Sequence, residues 1–406
     1  MQPIAMLSVA LALLLWPMLC ISQSREPSIL CRAGHANFSA EFRTGVRAQI
    51  RAARSNGENA LATRSCTASL DWDGRQLIVS ADAAQIDLDA FGADIGFNEP
   101  VAAFQVKKAE NSCCIAYQIY SLQKPPHLLI SLTGGDFFSA SDVDLDGRIE
   151  IWTHDAEAAD GFDRLTLGEL DFPPSVVFRF AHGQLVDVSA EFQEQYDDDI
   201  VKIETDVRPQ DAEDFKNSDG RLMEASTPAS IERLHQLRAT KIKVLEIVWA
   251  YLYSGRELTA WETLTKMWPA TDVDRIHNAL LKARAQGVRN QTQSTSVGSQ
   301  GKKKHTQIFQ VENPSRREDP SEVTPPQPIL LERGGSAVQA DTTEQEVLLN
   351  LVIDAAGKVR SVQPSTKLAL SERSLIEDAL SWKFIPAFKN GKPVASRVRM
   401  DVAPTR

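Results

Sequence analysis

Short apolar segments separated by turn residues fill the chain from about Cys31 to Val207 and restrict this half to a β-rich fold. Apolar and polar residues alternate within the segments, and Gly, Pro and Asp stand between them, which is typical of strands joined by turns. The segments are RQLIVSAD (75–82), CIAYQIYSL (114–122), HLLISL (127–132), RIEIWTH (148–154) and SVVFRFAHGQLVDVSAEF (175–192). The last is predicted to be a hairpin that turns at His182 and Gly183. Residues 36–55 depart from this pattern, because their apolar spacing is compatible with a helix.

The apolar period changes to that of helices over residues 227–289. The first predicted helix starts with Thr227 as N-cap and Pro228 at its first position, and it ends at Gly255. ELTAWETLTKMW forms a second helix that stops before Pro269, and TDVDRIHNALLKARAQG forms a third. The spacing of Gly255, Ala260 and Leu264 resembles a tetratricopeptide hairpin.

A linker and a small αβ unit complete the chain. Residues 290–327 are rich in Gln, Ser, Thr, Lys and Pro and are predicted to be a linker. In residues 328–406, EQEVLLNLVIDAAGKVRSVQPS predicts two strands around Gly357, and SERSLIEDALSW (371–382) predicts a helix. An Asn390-Gly391 turn and a last strand, SRVRMDVA, follow. A helix lying on a small antiparallel sheet fits this order, so the whole chain of 406 residues is expected to be a multidomain α+β protein with a β-rich module over 25–207.

The N-terminus and the cysteines indicate an exported protein. Residues 4–21 are apolar, with no charge before Arg25, so residues 1–24 are interpreted as a signal peptide, with an uncleaved membrane anchor as the alternative. Four cysteines follow, and an even number in an exported chain favours disulfides, although a free vicinal thiol pair competes and spacing leaves the pairing open. They are Cys31, Cys66, Cys113 and Cys114. The net charge of −10 argues against nucleic-acid binding.

The stretch SDVDLDGRIEIW (141–152) carries the pattern of an acidic calcium loop. Calcium takes six to eight oxygen ligands, and alternating residues of a turning loop can point inward together. Thr153 stands where an EF-hand requires a bidentate glutamate, so that type is disfavoured. The loop is instead similar to those of FG-GAP or integrin-type repeats, which implies a structural calcium held by Asp142, Asp144, Asp146, the Arg148 carbonyl and Glu150. An ordinary acidic β-turn is the alternative.

The motif Asp-Gly-Arg recurs at 73–75, 146–148 and 219–221. A propeller of FG-GAP repeats would need several complete loops, and only the stretch at 142–150 is complete. The even spacing is therefore interpreted as coincidence, and a full propeller is disfavoured.

Residues Val347 to Val402 resemble the C-terminal domain of TonB-family energy transducers. The resemblance rests on VLLNLVIDAAGKVRSVQ, IEDALSW and above all WKFIPAFKNGKPVASRVRMDV. It implies a periplasmic domain that binds an outer-membrane receptor, or another envelope protein, by adding a partner strand to a sheet edge. The expected edge is the last strand, which comprises Ser396, Arg397, Val398, Arg399, Met400, Asp401 and Val402. Its arginines also fit the charged residues that discourage aggregation at any edge strand.

Known catalytic patterns are absent from the sequence. There is no HExxH, GxSxG, Walker or GxGxxG motif, so a non-enzymatic protein is expected. A secreted hydrolase using His154, Asp155 and Asp163 is a rival. The favoured hypothesis is an exported protein of the periplasm or cell envelope of a Gram-negative bacterium, with a calcium-stabilised module and a TonB-like binding domain. The alternative is a membrane-anchored energy transducer for uptake across the outer membrane.

Overall fold

The fold combines helices with antiparallel sheets, which confirms the α+β class. The computed structural model describes residues 30–32, 37–52, 65–110, 112–181, 183–222, 228–292, 307–311, 323–330, 347–365 and 373–402. The apolar stretch over residues 4–21 lies outside these ranges. Within them, no helix has the length and apolar character needed to cross a membrane.

Three sheets follow one another in the N-terminal half, each with an antiparallel meander of four strands in chain order. The first contains β2 (Asn37–Glu41), β3 (Arg47–Ala52), β4 (Cys66–Trp72) and β5 (Arg75–Ala83). The second contains β6 (Gln85–Ala93), β7 (Val101–Lys107), β8 (Ile115–Ser121) and β9 (Leu128–Gly135), with β1 (Cys31–Arg32) beside β6. The third contains β10 (Ser139–Ser141), β11 (Glu150–His154), β12 (Ser175–Ala181) and β13 (Gln184–Asp187).

The second sheet is buried on both faces and joins the other two. Phe91 and Phe104 belong to a core shared with the first sheet, whereas Tyr117 and Ala103 belong to one shared with the third. A meander of four strands is the unit of a β-propeller blade, but propellers typically have about four to eight blades. The described residues form three such sheets.

The helix expected over residues 36–55 is wrong, because β2 and β3 form a hairpin there. The apolar residues Phe38, Phe42, Val46 and Ile50 recur every fourth position, which imitates a helical face. In the hairpin, Phe38 and Ile50 are cross-strand partners, and all four side chains are buried. The reversal occurs at Gly45, whose φ of +79° favours glycine.

Helices cover the third sheet. They are α1 (Ala156–Ala159), α2 (Gln193–Asp206), α3 (Pro209–Lys216), α4 (Pro228–Tyr253), α5 (Glu257–Met267) and α6 (Val273–Gln286). The last three confirm the predicted helical region, with Gly255 at φ +82° after α4. By contrast, α2 lies in a region that the sequence favoured as β, and it buries Tyr196, Ile200 and Ile203 along one face.

The C-terminal residues form a sheet with a helix packed against it. Strands β16 (Val347–Ile353), β17 (Val359–Pro364) and β21 (Ser396–Val402) are antiparallel, and α7 (Arg373–Ser381) follows β17 in the chain. The remaining strands are β14 (Phe309–Gln310), β15 (Gln327–Leu330), β18 (Lys383–Ile385), β19 (Ala387–Lys389) and β20 (Lys392–Val394). Asn390 and Gly391, both at positive φ, form the predicted turn between β19 and β20.

Two disulfides lie within the described residues. Cys31 pairs with Cys66, which ties β1 beside the second sheet to β4 of the first, and Cys113 pairs with Cys114 just before β8.

Candidate functional site

The acidic loop joins β10 to β11 in the third sheet. Ser141 and Glu150 are cross-strand partners at its base, so Asp142 and Glu150 lie where the chain leaves and re-enters the sheet. Leu145 and Gly147 have positive φ angles of 59° and 83°, which turn the loop back on itself. A Cβ placed on Gly147 would have no other atom within 4 Å. The positive φ angle, and not a lack of space, therefore favours glycine at this position.

Backbone hydrogen bonds hold the three aspartates of the loop together. The Gly147 N–H donates to Asp142 Oδ2 at 3.0 Å, and the Asp146 N–H donates to Asp144 Oδ1 at 3.3 Å. The Arg148 N–H donates to Asp146 Oδ1 at 2.8 Å, while the Arg148 guanidinium pairs with Oδ2 of the same carboxylate. As a result, one oxygen from each of Asp142, Asp144 and Asp146 lies within 4.8 Å of the others.

Two carboxylates at the base of the loop are fully buried, and each keeps an oxygen without a hydrogen-bond partner. Asp142 and Glu150 are both 0% exposed. Asp142 Oδ1 and Glu150 Oε2 accept no hydrogen bond. The other Glu150 oxygen accepts from Arg179, at 2.6 Å from its Nη2. Buried carboxylate oxygens are normally hydrogen-bonded, so these two are suited to a further charged ligand.

The electrostatics of the loop favour a cation. Burial, followed by the negative charge of Asp354, raises the pKa of Asp142 to about 7, and the Gly147 N–H opposes this only in part. Burial likewise raises the pKa of Glu150 to about 7, against the lowering effect of Arg179. Both carboxylates therefore resist ionisation in the ion-free loop, and a bound cation would relieve that cost.

The three aspartates fit calcium in type and spacing, whereas Glu150 is not among the carboxylates that lie within 4.8 Å of one another. All the candidate groups are oxygens, and calcium binds oxygens at about 2.3–2.6 Å, so two ligands of one ion stand at most about 5 Å apart. The 4.8 Å limit on the three aspartate oxygens is within that reach. Asp144 is exposed, which leaves a side open to water ligands. The arrangement can thus hold a divalent cation.

The other two Asp-Gly-Arg copies have different structures. Asp73 and Gly74 form the tight turn between β4 and β5, and Asp73 pairs with Lys124 at 2.7 Å. Asp219 Oδ1 accepts from the backbone N–H groups of Arg221 and Leu222 beside the helices. The shared tripeptide therefore marks turns in three separate contexts.

The predicted partner-binding strand forms β21 and lies between β16 and β14. One face of β21 points into the protein: Ser396 and Val402 are buried, and Val398 and Met400 pack against the core formed with β16 and α7. The other face is exposed and carries Arg397, Arg399 and Asp401. Phe309 and Gln310 of β14 pair in parallel with Ser396 and Arg397. Beyond Arg397, this outer edge carries no strand partner among the described residues.

The rival catalytic residues are engaged in separate structural contacts. The His154 ring lies 3.2 Å from an Asp136 carboxylate oxygen. Asp155 is buried and accepts from the Tyr253 hydroxyl and the Val288 N–H, both at 2.8 Å. Asp163 pairs with Lys241 at 2.5 Å and with Arg275 at 2.7 Å. These pairings link helices to the third sheet and its loops.

Sequence reasoning missed Asp354 and Arg179. Asp354 lies 212 residues from Asp142, whose backbone N–H donates to Asp354 Oδ2 at 3.1 Å. Arg179 comes from β12 and reaches Glu150 across a strand pair, as Glu150 and Arg179 are register partners. The sequence signal for Arg179 is its charge, which is opposite to that of Glu150 and lies on another predicted strand. For Asp354, the sequence indicates only that it belongs to a turn near Gly357, and nothing in it indicates a contact with the acidic loop.

Comparisons with protein-family models, with curated proteins and with solved structures found no match for this chain.

Proposed function

We propose that the chain is an exported, non-enzymatic protein of the bacterial cell envelope, which binds a partner protein through the edge of β21 and carries a structural calcium ion in the loop from Asp142 to Glu150. The observation that carries the binding role is the outer edge of β21. The proposal also rests on the resemblance of residues 347–402 to TonB-family C-terminal domains. Calcium is supported by the two buried carboxylate oxygens without partners.

The geometry of β21 defines which backbone groups a partner strand would use. The Val311 N–H donates to the Arg397 carbonyl at 3.0 Å, so Arg397 presents its backbone groups to the outer edge. Because backbone groups alternate along a strand, Arg399 and Asp401 present theirs to the same edge. An extended peptide continuing the line of β14 would pair with them in parallel, and its charge would meet Arg397 and Arg399 on the exposed face.

A fixed binding domain is favoured over a force-transmitting transducer. The C-terminal part of the chain (residues 347–402) is packed against the β-rich module. Its residues Phe388 and Ile385 share a core with Phe42 of the first sheet. Lys358 also pairs with Asp89 of the second sheet at 2.7 Å. A transducer must place its C-terminal domain far from the inner membrane, across the periplasm. These contacts instead hold the proposed binding edge against the β-rich module.

Proline substitution at one edge residue tests the binding role. Arg399→Pro removes an outward N–H without removing a donor to β16, while Arg399→Ala removes the same side chain and keeps the N–H. Full-length protein would be immobilised and exposed to detergent-solubilised outer-membrane proteins, and the bound proteins would be quantified by mass spectrometry. We expect specific partners to be retained by the wild type and by Arg399→Ala and lost by Arg399→Pro. Equal binding by the two variants would rule out strand addition at this edge.

Calorimetry tests the ion. Calcium titrated into the full-length protein should release or absorb heat with one site per chain, and Asp144→Ala should remove that heat. Absence of binding at millimolar calcium, the weak end of the range for extracellular calcium modules, would refute the calcium role.

A further inference from the structure

The acidic loop touches the C-terminal part of the chain through the turn from Asp354 to Lys358. This turn connects β16 to β17 and is held by its own hydrogen bonds, since Asp354 Oδ1 accepts from the N–H groups of Ala356 and Lys358, both at 2.9 Å. Asp354 Oδ2 points the other way and accepts the Asp142 N–H. Asp354, like Asp142, is 0% exposed.

Contacts on both sides of Asp354 fix the turn against β10, the strand that leads into the loop. Lys358 Nζ lies 2.7 Å from Asp89 Oδ1 and 2.6 Å from Ser139 Oγ. Asp89 also accepts the Ala140 N–H at 2.7 Å. Ala355 and Ala356 belong to the same core as Ala140. The turn and the strand before the loop are therefore packed as one structure.

The charges at this contact work against the packing when no cation is present. Asp142 and Asp354 are neighbouring buried carboxylates, and Asp144 adds further negative charge on the loop side. Asp146 and Glu150 are also acidic, but they are paired with Arg148 and Arg179. Lys358 and Arg360 place positive charge on the opposite side near Asp354, and the Lys358 ammonium is bound by Asp89 and Ser139. A divalent cation among the loop carboxylates would offset the repulsion between Asp142 and Asp354.

We infer that cation binding in the acidic loop and docking of the C-terminal part, through the turn from Asp354 to Lys358, are thermodynamically coupled, so that calcium holds the partner-binding domain against the β-rich module. The inference rests on the proposed calcium site and deepens it. Coupling of this kind is reciprocal: calcium strengthens docking by the same factor by which docking strengthens calcium binding.

Hydrogen exchange of the full-length protein, with calcium and with a chelator, measures the coupling. We expect calcium to slow exchange of the amides over residues 354–358 at least tenfold. Asp354→Asn should weaken calcium binding severalfold and remove the calcium effect on exchange, because one of the two repelling charges is gone. Glu377→Gln removes an exposed carboxylate from α7 and should leave both measurements at wild-type values.

A remote, uncharged variant tests the reciprocity. Phe388→Ala removes a docking contact with Phe42 far along the chain from the loop and changes no charge. We expect it to lower calcium affinity at least threefold, whereas Leu380→Ala, at a side chain 48% exposed on α7, should leave the affinity unchanged.

The outcomes separate the two proposals. Calcium binding without a change in exchange at residues 354–358 would overturn the coupling while the calcium site stands. Unchanged affinity in Phe388→Ala would do the same where faster exchange at residues 354–358 shows that the turn has undocked in this variant. Absence of calcium binding in the wild type would overturn both.

Discussion

Asp142→Asn should have opposite effects on stability with and without calcium. Asparagine has nearly the same shape and can still accept the Gly147 N–H, but it carries no charge beside Asp354. Burial and then Asp354 raise the pKa of Asp142 from 3.8 to about 7. At 1.36 kcal/mol per pKa unit, keeping this carboxylate ionised at pH 8 costs roughly 4 kcal/mol as an upper bound.

In a chelator at pH 8, the Asp142→Asn variant should therefore be more stable than the wild type, by about 2–4 kcal/mol in the free energy of unfolding. With calcium at 1,000 times its dissociation constant, the wild type gains about 4.1 kcal/mol and the variant gains nothing, which cancels or reverses the order. Chemical denaturation with and without calcium measures both values.

Asp144→Asn is the matched control, because Asp144 is an exposed member of the same cluster. It should lose the calcium gain and change the stability in chelator by no more than about 0.5 kcal/mol, as is usual for surface substitutions. If Asp142→Asn lowers stability in chelator, the buried charge is not a cost and the reasoning fails. If calcium stabilises the variant as much as the wild type, Asp142 is not a ligand.

Two further predictions concern the rest of the fold. Burial raises the pKa of Asp163, but its two basic partners outweigh this and lower it overall. Since the folded pKa is below the unfolded one, this contribution to stability is complete above about pH 4 and is lost as the pH falls further, and Asp163→Asn should flatten acid denaturation in that range. Gly357→Ala should cost about 3 kcal/mol or more, because φ is +86° and a Cβ would lie 1.9 Å from the Phe384 carbonyl oxygen. Gly391→Ala, at φ +78° with open space, should cost about 1–2 kcal/mol, so equal losses in thermal unfolding would contradict the steric argument.

Local sequence signals predicted the elements whose structure is decided locally. Gly255 ends α4, and Asn390 with Gly391 turns β19 into β20, because few residues adopt those backbone angles. The failure at residues 36–55 has a physical cause. A hairpin that reverses at Gly45 places Phe38 opposite Ile50, so a spacing of four residues arises from symmetry about a turn and not from a helix.

The sequence could predict only the part of the candidate site that lies within the acidic loop itself. The alternation of Asp142, Asp144 and Asp146 and the following glycine are local features, and the structure brings these three carboxylates together. Burial of Asp142 is a tertiary property. It depends on the packing of β10 beneath the turn after β16, and no pattern within residues 141–152 encodes it.

The docking of the C-terminal part also had no local signal, because its polar contacts join residues that are far apart in the chain. Lys358 and Asp89 are separated by 269 residues, and an exposed lysine is the ordinary expectation for a turn. The consequence for function follows from strand order. Asp354 directly follows β16, and β16 pairs residue by residue with β21, from Ile353 and Ser396 to Val347 and Val402. A change in the acidic loop that moves Asp354 therefore acts on the strand that pairs with β21, the proposed binding edge. Calcium should consequently alter exchange along β21 as well, most strongly at Ser396, the end nearest Asp354.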